Sequence, residues 1–393
     1  MKVFLAVLCA AGLLAGAAQE KAEPKQQKAD PKAPAKTEKA EKPAPEAAKP
    51  PAPPPPPQQR RESNYVYDIQ GRPVPGNPAS RDQRTGTGAG STVDREQTLR
   101  GPDGRPVTYR SEREKVLSES ESEHASERHV QRYDPNGRPT SKQVIRAERR
   151  KTPDGSMVTT ETLYEQDLNG RLQLAERRTT RETKTPAGGA TALQIERPGL
   201  GGSLQVVERG ERVETKRSES VTETVGSRKF PDANGRWEER EREMSVATKS
   251  GEVTSTETKQ WRLGAAGSSA QMDLVSRAVS RLTEKPDGSQ VEDVEVYSSL
   301  IAGTTSDLNR PQTPGLEQQV RREKKVQADG RIVETTSTRA RQVAEPSRLG
   351  GLTVEEQVTT PTTDGKTIQK TLYERDTNGR LRPVASSVEE QKK

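Results

Sequence analysis

Apolar and polar residues alternate along most of this chain, and Asn-Gly or Asp-Gly punctuates the alternation at short intervals. After Gly330 one set of alternate positions holds Ile332, Glu334, Thr336, Thr338 and Ala340; the other holds Val333, Thr335, Ser337, Arg339 and Arg341. After Gly365, Ile368 and Leu372 fall on one side and Thr367, Gln369, Thr371 and Tyr373 on the other. A period of two predicts β-strand, and the recurrent Thr and Val suit it. The punctuation reads DPNGRP at Asp134–Pro139, DLNGRL at Asp167–Leu172, DANGRW at Asp232–Trp237 and DTNGRL at Asp376–Leu381. A shorter Asp-Gly form stands at Gly104, Gly155, Gly288, Gly330 and Gly365. Asn-Gly and Asp-Gly predict two-residue type I′ turns, since both central positions need φ > 0. The intervening strands are expected to run to roughly 10–12 residues, about 35–40 Å.

A longer echo overlies this pattern. Lys151–Leu172 (KTPDGSMVTTETLYEQDLNGRL) matches Thr362–Leu381 (TTDGKTIQKTLYERDTNGRL), and Leu200–Arg209 matches Leu349–Val358. Such repeats suggest units that stack on their neighbours. The stretches Tyr133–Arg138, Tyr164–Leu172 and Tyr373–Leu381 resemble the YD repeat of Rhs-type bacterial proteins and teneurins. That resemblance implies a long curling β-sheet, which in the family can close into a shell around a cargo. Few aromatics and very polar strands favour an open, solvated sheet here.

The expected organisation is a signal peptide over residues 1–18 and a disordered Lys/Ala/Pro/Glu-rich spacer over 19–62. A transitional Gly/Pro-rich segment follows over 63–92, then a β-repeat region over 93–263. An irregular interruption with one β-hairpin spans 264–315, and a second β-repeat region spans 316–393. Lys2, the apolar run Val3–Leu14 and the small residues at 15–18 have the order of a secretory signal. In the spacer, Pro removes donors while Lys and Glu hold the chain in water. SRDQRTGTGAGST reads as a flexible link, because its GTGAG lacks the flanking elements of a nucleotide loop. Within the interruption, Met272, Val275 and Val279 fit the spacing of a short helix.

Composition narrows the function class. Hydrophobic residues make up 28% and aromatics 3%, against 31% charged, too little for a thick core. The net charge of +7 is small for 393 residues, so no specific nucleic-acid partner is expected. The one cysteine, Cys9, lies in the signal-like run. No disulfide framework is therefore expected in the mature chain, and no transmembrane segment either.

Candidate chemistry is thin. His124 and His129, beside Glu121, Glu123 and Glu127, are the one conceivable metal cluster, but their spacing suits neither a strand face nor a helical turn. Arg146–Lys151 and Arg321–Lys325 are basic runs broken by Glu and lacking stacking aromatics. Trp237 and Trp261 suit small apolar patches. There is no Gly-x-Ser-x-Gly and no apolar pocket to raise a carboxylic acid. No catalytic, cofactor-binding or metal residues are assigned, no cofactor is expected, and the chain is not expected to be an enzyme.

The sequence therefore reads as all-β: elongated antiparallel β-hairpin repeats in an open, solvated sheet after a disordered tract. The matching function is a non-enzymatic exported scaffold or adhesive protein of the bacterial envelope, periplasmic or extracellular, partnered by an envelope polymer or protein. The alternative is a largely disordered envelope polymer that binds polyanions or cell wall by charge.

Overall fold

The computed structural model describes residues 58–67, 72–76, 79–100, 104–263, 272–299, 314–342, 345–376 and 378–392. The expected signal peptide and most of the expected spacer lie outside the described residues. The described part is all strand and turn. Its first elements are β1 (Gln58–Tyr67), β2 (Pro73–Pro75), β3 (Ala79–Thr85), β4 (Thr92–Arg100), β5 (Pro106–Glu119), β6 (Glu123–Tyr133) and β7 (Pro139–Lys151). Then come β8 (Met157–Gln166), β9 (Leu172–Thr185), β10 (Gly188–Pro198), β11 (Leu204–Lys216), β12 (Val221–Pro231), β13 (Trp237–Ser250) and β14 (Val253–Leu263). The last are β15 (Met272–Glu284), β16 (Gln290–Ser298), β17 (Gly315–Val326), β18 (Ile332–Gln342), β19 (Glu345–Thr362), β20 (Gly365–Arg375) and β21 (Leu381–Lys392). The segment with helical spacing lies in β15, and the expected flexible link over 80–92 is the strand β3 up to Thr85, a tight connection over 86–91 and the start of β4. There Ser91 is buried, and Val116 donates its N–H to the Ser91 carbonyl at 2.9 Å.

Each strand from β3 onward pairs antiparallel with the next, and β1 pairs with both β3 and β21. Gln59 lies opposite Lys392, Ser63 opposite Val388 and Val66 opposite Ala385. That seam makes a closed ring of 20 strands, with the three-residue β2 as a spur on β1. The expected open, solvated sheet is thus overturned, and so is the likeness to YD repeats: closure removes both free edges, which a polar open sheet would leave unpaired. At a spacing of about 4.8 Å and a tilt of about 40°, 20 strands enclose a ring about 40 Å across between backbones. Wall side chains cannot fill that width, since barrels of 16–18 strands already leave an aqueous channel.

The turns differ in type from the expectation. In Asp134–Arg138 the Gly137 N–H donates to the Asp134 carbonyl at 2.9 Å, and the Asp134 N–H donates to the Arg138 carbonyl at 2.8 Å. That is a type I turn centred on Pro135–Asn136, closed by a left-handed Gly137 at φ 78°. Pro is favoured at the first central position of such a turn, and the glycine adds the bulge that restores strand twist. The same pair of bonds recurs at 152–156, 167–171, 199–203, 232–236, 285–289, 327–331 and 376–380. All four Asn-Gly-Arg turns fall on one rim of the ring, between β6 and β7, β8 and β9, β12 and β13, and β20 and β21. Gly155, Gly288, Gly330 and Gly365 stand on the other rim, where β1 begins and β21 ends.

The described residues build no packed core. Among the described residues only Val116, Val130, Val144 and Ile195 are buried hydrophobics. The backbone ladder and cross-strand pairs hold the ring instead. Strand alternation gives two walls, continuous round the barrel by register. One wall, with Arg95 and Glu112, carries seven of the ten buried strand residues described: Val116, Ser126, Val130, Ile195, Thr224, Ser298 and Glu389. The other, with Arg113 and Arg146, carries Val144, Thr371 and Ser386. Side chains converge on the concave side of a closed sheet, so the more covered wall is assigned to the lumen and the other to the exterior. Both are charged.

Candidate membrane-facing rim

The rim with the Asn-Gly-Arg turns is built differently from its opposite. In each of its four Asn-Gly-Arg turns the Asp side chain accepts two backbone N–H bonds. Asp134 Oδ1 takes those of Asn136 and Arg138 at 2.9 and 2.8 Å, and Asp376 Oδ1 takes those of Asn378 and Arg380 at 2.9 Å. The N–H of Arg380, with that of Asn378 and the Arg382 guanidinium, holds the Asp376 carboxyl below the usual range. Bonding to the ionised form is the cause.

The same rim gathers the aromatic residues. Tyr65, Tyr67, Tyr109, Tyr133 and Tyr164 lie within four residues of a strand end there. So do Phe230, Trp237, Trp261, Tyr297 and Tyr373. These are all the Tyr, Trp and Phe of the chain except Phe4. Register puts all but Tyr109 and Phe230 on the exterior wall. Leu172 and Leu174, Leu204 and Val206, Leu263 and Leu274, and Leu316 and Leu381 join them by pairing or alternation. Arginines cap the rings: Arg146 over Tyr164 at 5.4 Å and Arg209 over Trp237 at 4.3 Å, each one step towards the barrel's waist, and Arg277 over Tyr297, its cross-strand partner, at 5.6 Å. Of eleven exposed large apolar residues among those described, seven belong to this rim: Val66, Val74, Leu99, Leu168, Leu172, Leu200 and Leu381. Leu168 and Leu200, at adjacent hairpin tips, are 106 and 111% exposed.

The girdle is shallow. Four residues along a tilted strand rise roughly 10 Å, against about 25 Å for the apolar band of a membrane-spanning barrel. Below it the exterior turns ionic. Arg113 meets Asp94 at 2.6 Å, Arg146 meets Glu127 at 2.7 Å and Arg277 meets Glu257 at 2.7 Å. An arginine at the bilayer midplane costs about 2–4 kcal/mol. The geometry therefore suits a rim dipped into a lipid interface, with the body in water. Aromatic rings favour that interface because they pair an apolar body with a polar tip.

The lumen wall at the seam holds a charged ladder across five strands. Glu389 on β21 meets Arg60 at 2.8 Å, and Arg60 lies 4.0 Å from Asp82. Arg95 then links Asp82 at 3.8 Å to Glu112 at 3.6 Å and Glu114 at 3.2 Å. Burial pushes the Asp82 carboxyl up despite the nearby Arg60 and Arg95. Salt bridges here bind strand to strand across the closure.

The residues singled out from sequence fare unequally. His124 and His129 sit on opposite walls of β6, and His129 Nε2 meets Glu127 Oε1 at 2.7 Å. Among the described residues no cluster of three or more His, Cys, Asp or Glu could hold a metal ion. The basic runs at 146–151 and 321–325 split between the two walls. Trp237 and Trp261 stand in the girdle, on β13 and β14. The girdle itself was missed, although each aromatic's closeness to one phase of the turns was present in the sequence. No helix among the described residues is long and apolar enough to cross a membrane, which leaves a β-barrel untouched.

No family model and no curated protein matches the chain. Solved structures with similar strand arrangement include OmpF of Salmonella typhi in complex with daunomycin. It is 8% identical with a TM-score of 0.38, over 85% of this chain and 96% of that one. The ferric enterobactin receptor PfeA of Pseudomonas aeruginosa is 10% identical with a TM-score of 0.37, over 84% and 72%. BauA of Acinetobacter baumannii, the ferric preacinetobactin receptor, is 9% identical with a TM-score of 0.33, over 85% and 80%. At these values the likeness carries no argument, and the seam register alone carries the closed ring.

Proposed function

We propose that this chain is an exported envelope protein whose closed, water-filled β-barrel seats one rim on a lipid surface and offers polar solutes a passage. One observation carries the proposal: a ring of 20 strands with two charged walls bears its aromatic residues at a single rim. The width keeps the lumen wet, and the balanced charge of its wall favours small polar solutes over apolar ones. The seat replaces the free periplasmic or extracellular setting expected from sequence, and export itself rests on the signal-like order of residues 1–18. The scaffold or adhesive reading and its disordered alternative are both set aside. The first needed an open sheet, and the second a chain without the continuous ladder that runs from β3 to β21 and back to β1.

Electron microscopy of the protein mixed with lipid vesicles tests this. Rings about 40 Å across, stain-filled and standing on vesicle surfaces by one end, are expected. Solid particles, or rings that ignore the vesicles, would overturn it.

A further inference from the structure

We infer that Arg138, Arg171, Arg236 and Arg380 form a phosphate-binding set that selects an anionic lipid surface. The inference rests on the seating of the girdled rim and names the chemistry of what that rim meets. Each arginine directly follows the left-handed glycine of an Asn-Gly-Arg turn, and all four are exposed on the girdled rim. The turn does not need arginine at that place. The turns with the same backbone bonds at 152–156, 199–203 and 285–289 hold Ser156, Ser203 and Ser289 there. The position is thus free to serve the surface.

The acidic partner that could neutralise each arginine is already engaged. Asp134, Asp167, Asp232 and Asp376 turn Oδ1 onto two backbone N–H groups. The second oxygen of Asp167 takes Gln173 at 2.8 Å, and that of Asp376 takes Arg382 at 2.8 Å. Among the described residues none of the four guanidinium groups forms an ion pair. Arg331 holds the same turn position on the opposite rim, and there the guanidinium is tied down, its Nε donating to Gln327 Oε1 at 2.9 Å.

Position supplies the occupant. The arginines share their rim with the aromatic girdle and with the fully exposed Leu168 and Leu200. Apolar tips beside guanidinium groups match a bilayer surface, where acyl chains lie just below phosphates. Guanidinium binds phosphate through paired N–H donors. A nucleic acid or acidic glycan would use the charge and leave the leucines in water.

The test is flotation of the full chain with phosphatidylcholine vesicles and with equal mixtures of phosphatidylcholine and phosphatidylglycerol. Wild type should prefer the anionic vesicles. The variant Arg138→Gln/Arg171→Gln/Arg236→Gln/Arg380→Gln should lose that preference by at least about tenfold, given the attraction of each cation near an anionic surface. It should still bind neutral vesicles as wild type does, with an unchanged thermal melt. Full preference retained by the variant would overturn the inference while leaving the seat intact. Wild type that binds neither vesicle would sink the seat as well. Equal arginine-dependent binding to double-stranded DNA and to anionic vesicles, unaffected by Leu168→Ser/Leu200→Ser, would assign the set to polyanions and overturn the lipid reading. Should the quadruple variant fail to fold, the pair Arg138→Gln/Arg171→Gln gives the same readout at about half the effect on a logarithmic scale.

Discussion

Gly188 and Gly365 stand where no side chain fits. Their φ angles are 145° and 155°, and an added Cβ would fall on the carbonyl oxygen of Glu214 or of Gln391 in the adjoining strand. Gly137 is left-handed at φ 78° with open space around it. Gly137→Ala should therefore cost about 1 kcal/mol, the ordinary left-handed penalty. Gly188→Ala should cost more than about 2 kcal/mol, because backbone must move as well. Denaturant midpoints compare them, and a Gly137→Ala that is the worse of the two would show the turns misplaced. Gly88, in the connection first read as a flexible link, is also left-handed at φ 72°. A β-branched residue there is strained too.

Among the elements, β1 and β21 carry the seam. Glu389 is 6% exposed and its carboxylate rests on Arg60. Arg60→Ala leaves that acid covered, with the Gln391 amide but no cation on it, at a cost of about 1–2 kcal/mol, since Arg60 is itself half exposed. Hydrogen exchange should quicken in β1 and β21 before β12. Uniform quickening would mean that the seam is not the weak joint. Strand period and turn positions were legible in the sequence because both are local. The pairing of Ser63 with Val388 was not, because nothing near either residue encodes a partner at the far end of the chain. The helical spacing in β15 has a specific cause. Gln260 pairs with Ser276 and Trp261 with Leu274, so Val275 is an extra, bulged residue. The bulge puts Met272 and Val279 on one wall although they are seven residues apart, and that odd step imitates a helix. The girdle stayed hidden for a related reason: it exists only once the hairpins are set side by side and one rim is told from the other.

For the whole molecule, the balance of carboxylates sets the response to acid. Hydrogen bonds from His129 and Arg146 hold the Glu127 carboxyl low, and Arg177 does the same for Glu196. Arg277 lowers Glu257, Arg321 lowers Glu323, the Ser289 N–H lowers Asp287 and the Arg380 N–H lowers Asp376. A carboxyl depressed in the fold stabilises it above the ordinary range near pH 4, and that stability is lost as pH falls. Asp82 has the opposite sign: it is raised by burial, so it favours the fold when protonated and opposes it as pH rises through its shifted value. The depressed groups outnumber it, though most are solvent-screened. The thermal midpoint should fall between pH 6 and pH 3.5, and a midpoint that rises on acidification would contradict this balance.

Closure is what separates a wet conduit from a ribbon of hairpins, and a cross-link across the seam reads it directly. Ser63 and Val388 lie opposite each other on the exterior of β1 and β21, and facing residues of paired strands come within the reach of a disulfide. With Cys9→Ser to remove the other thiol, Ser63→Cys/Val388→Cys should oxidise at low protein concentration to a monomer. Its electrophoretic mobility should change, and reduction should restore it. Free thiols, or cross-links between molecules only, would show that the two ends of the sheet do not meet.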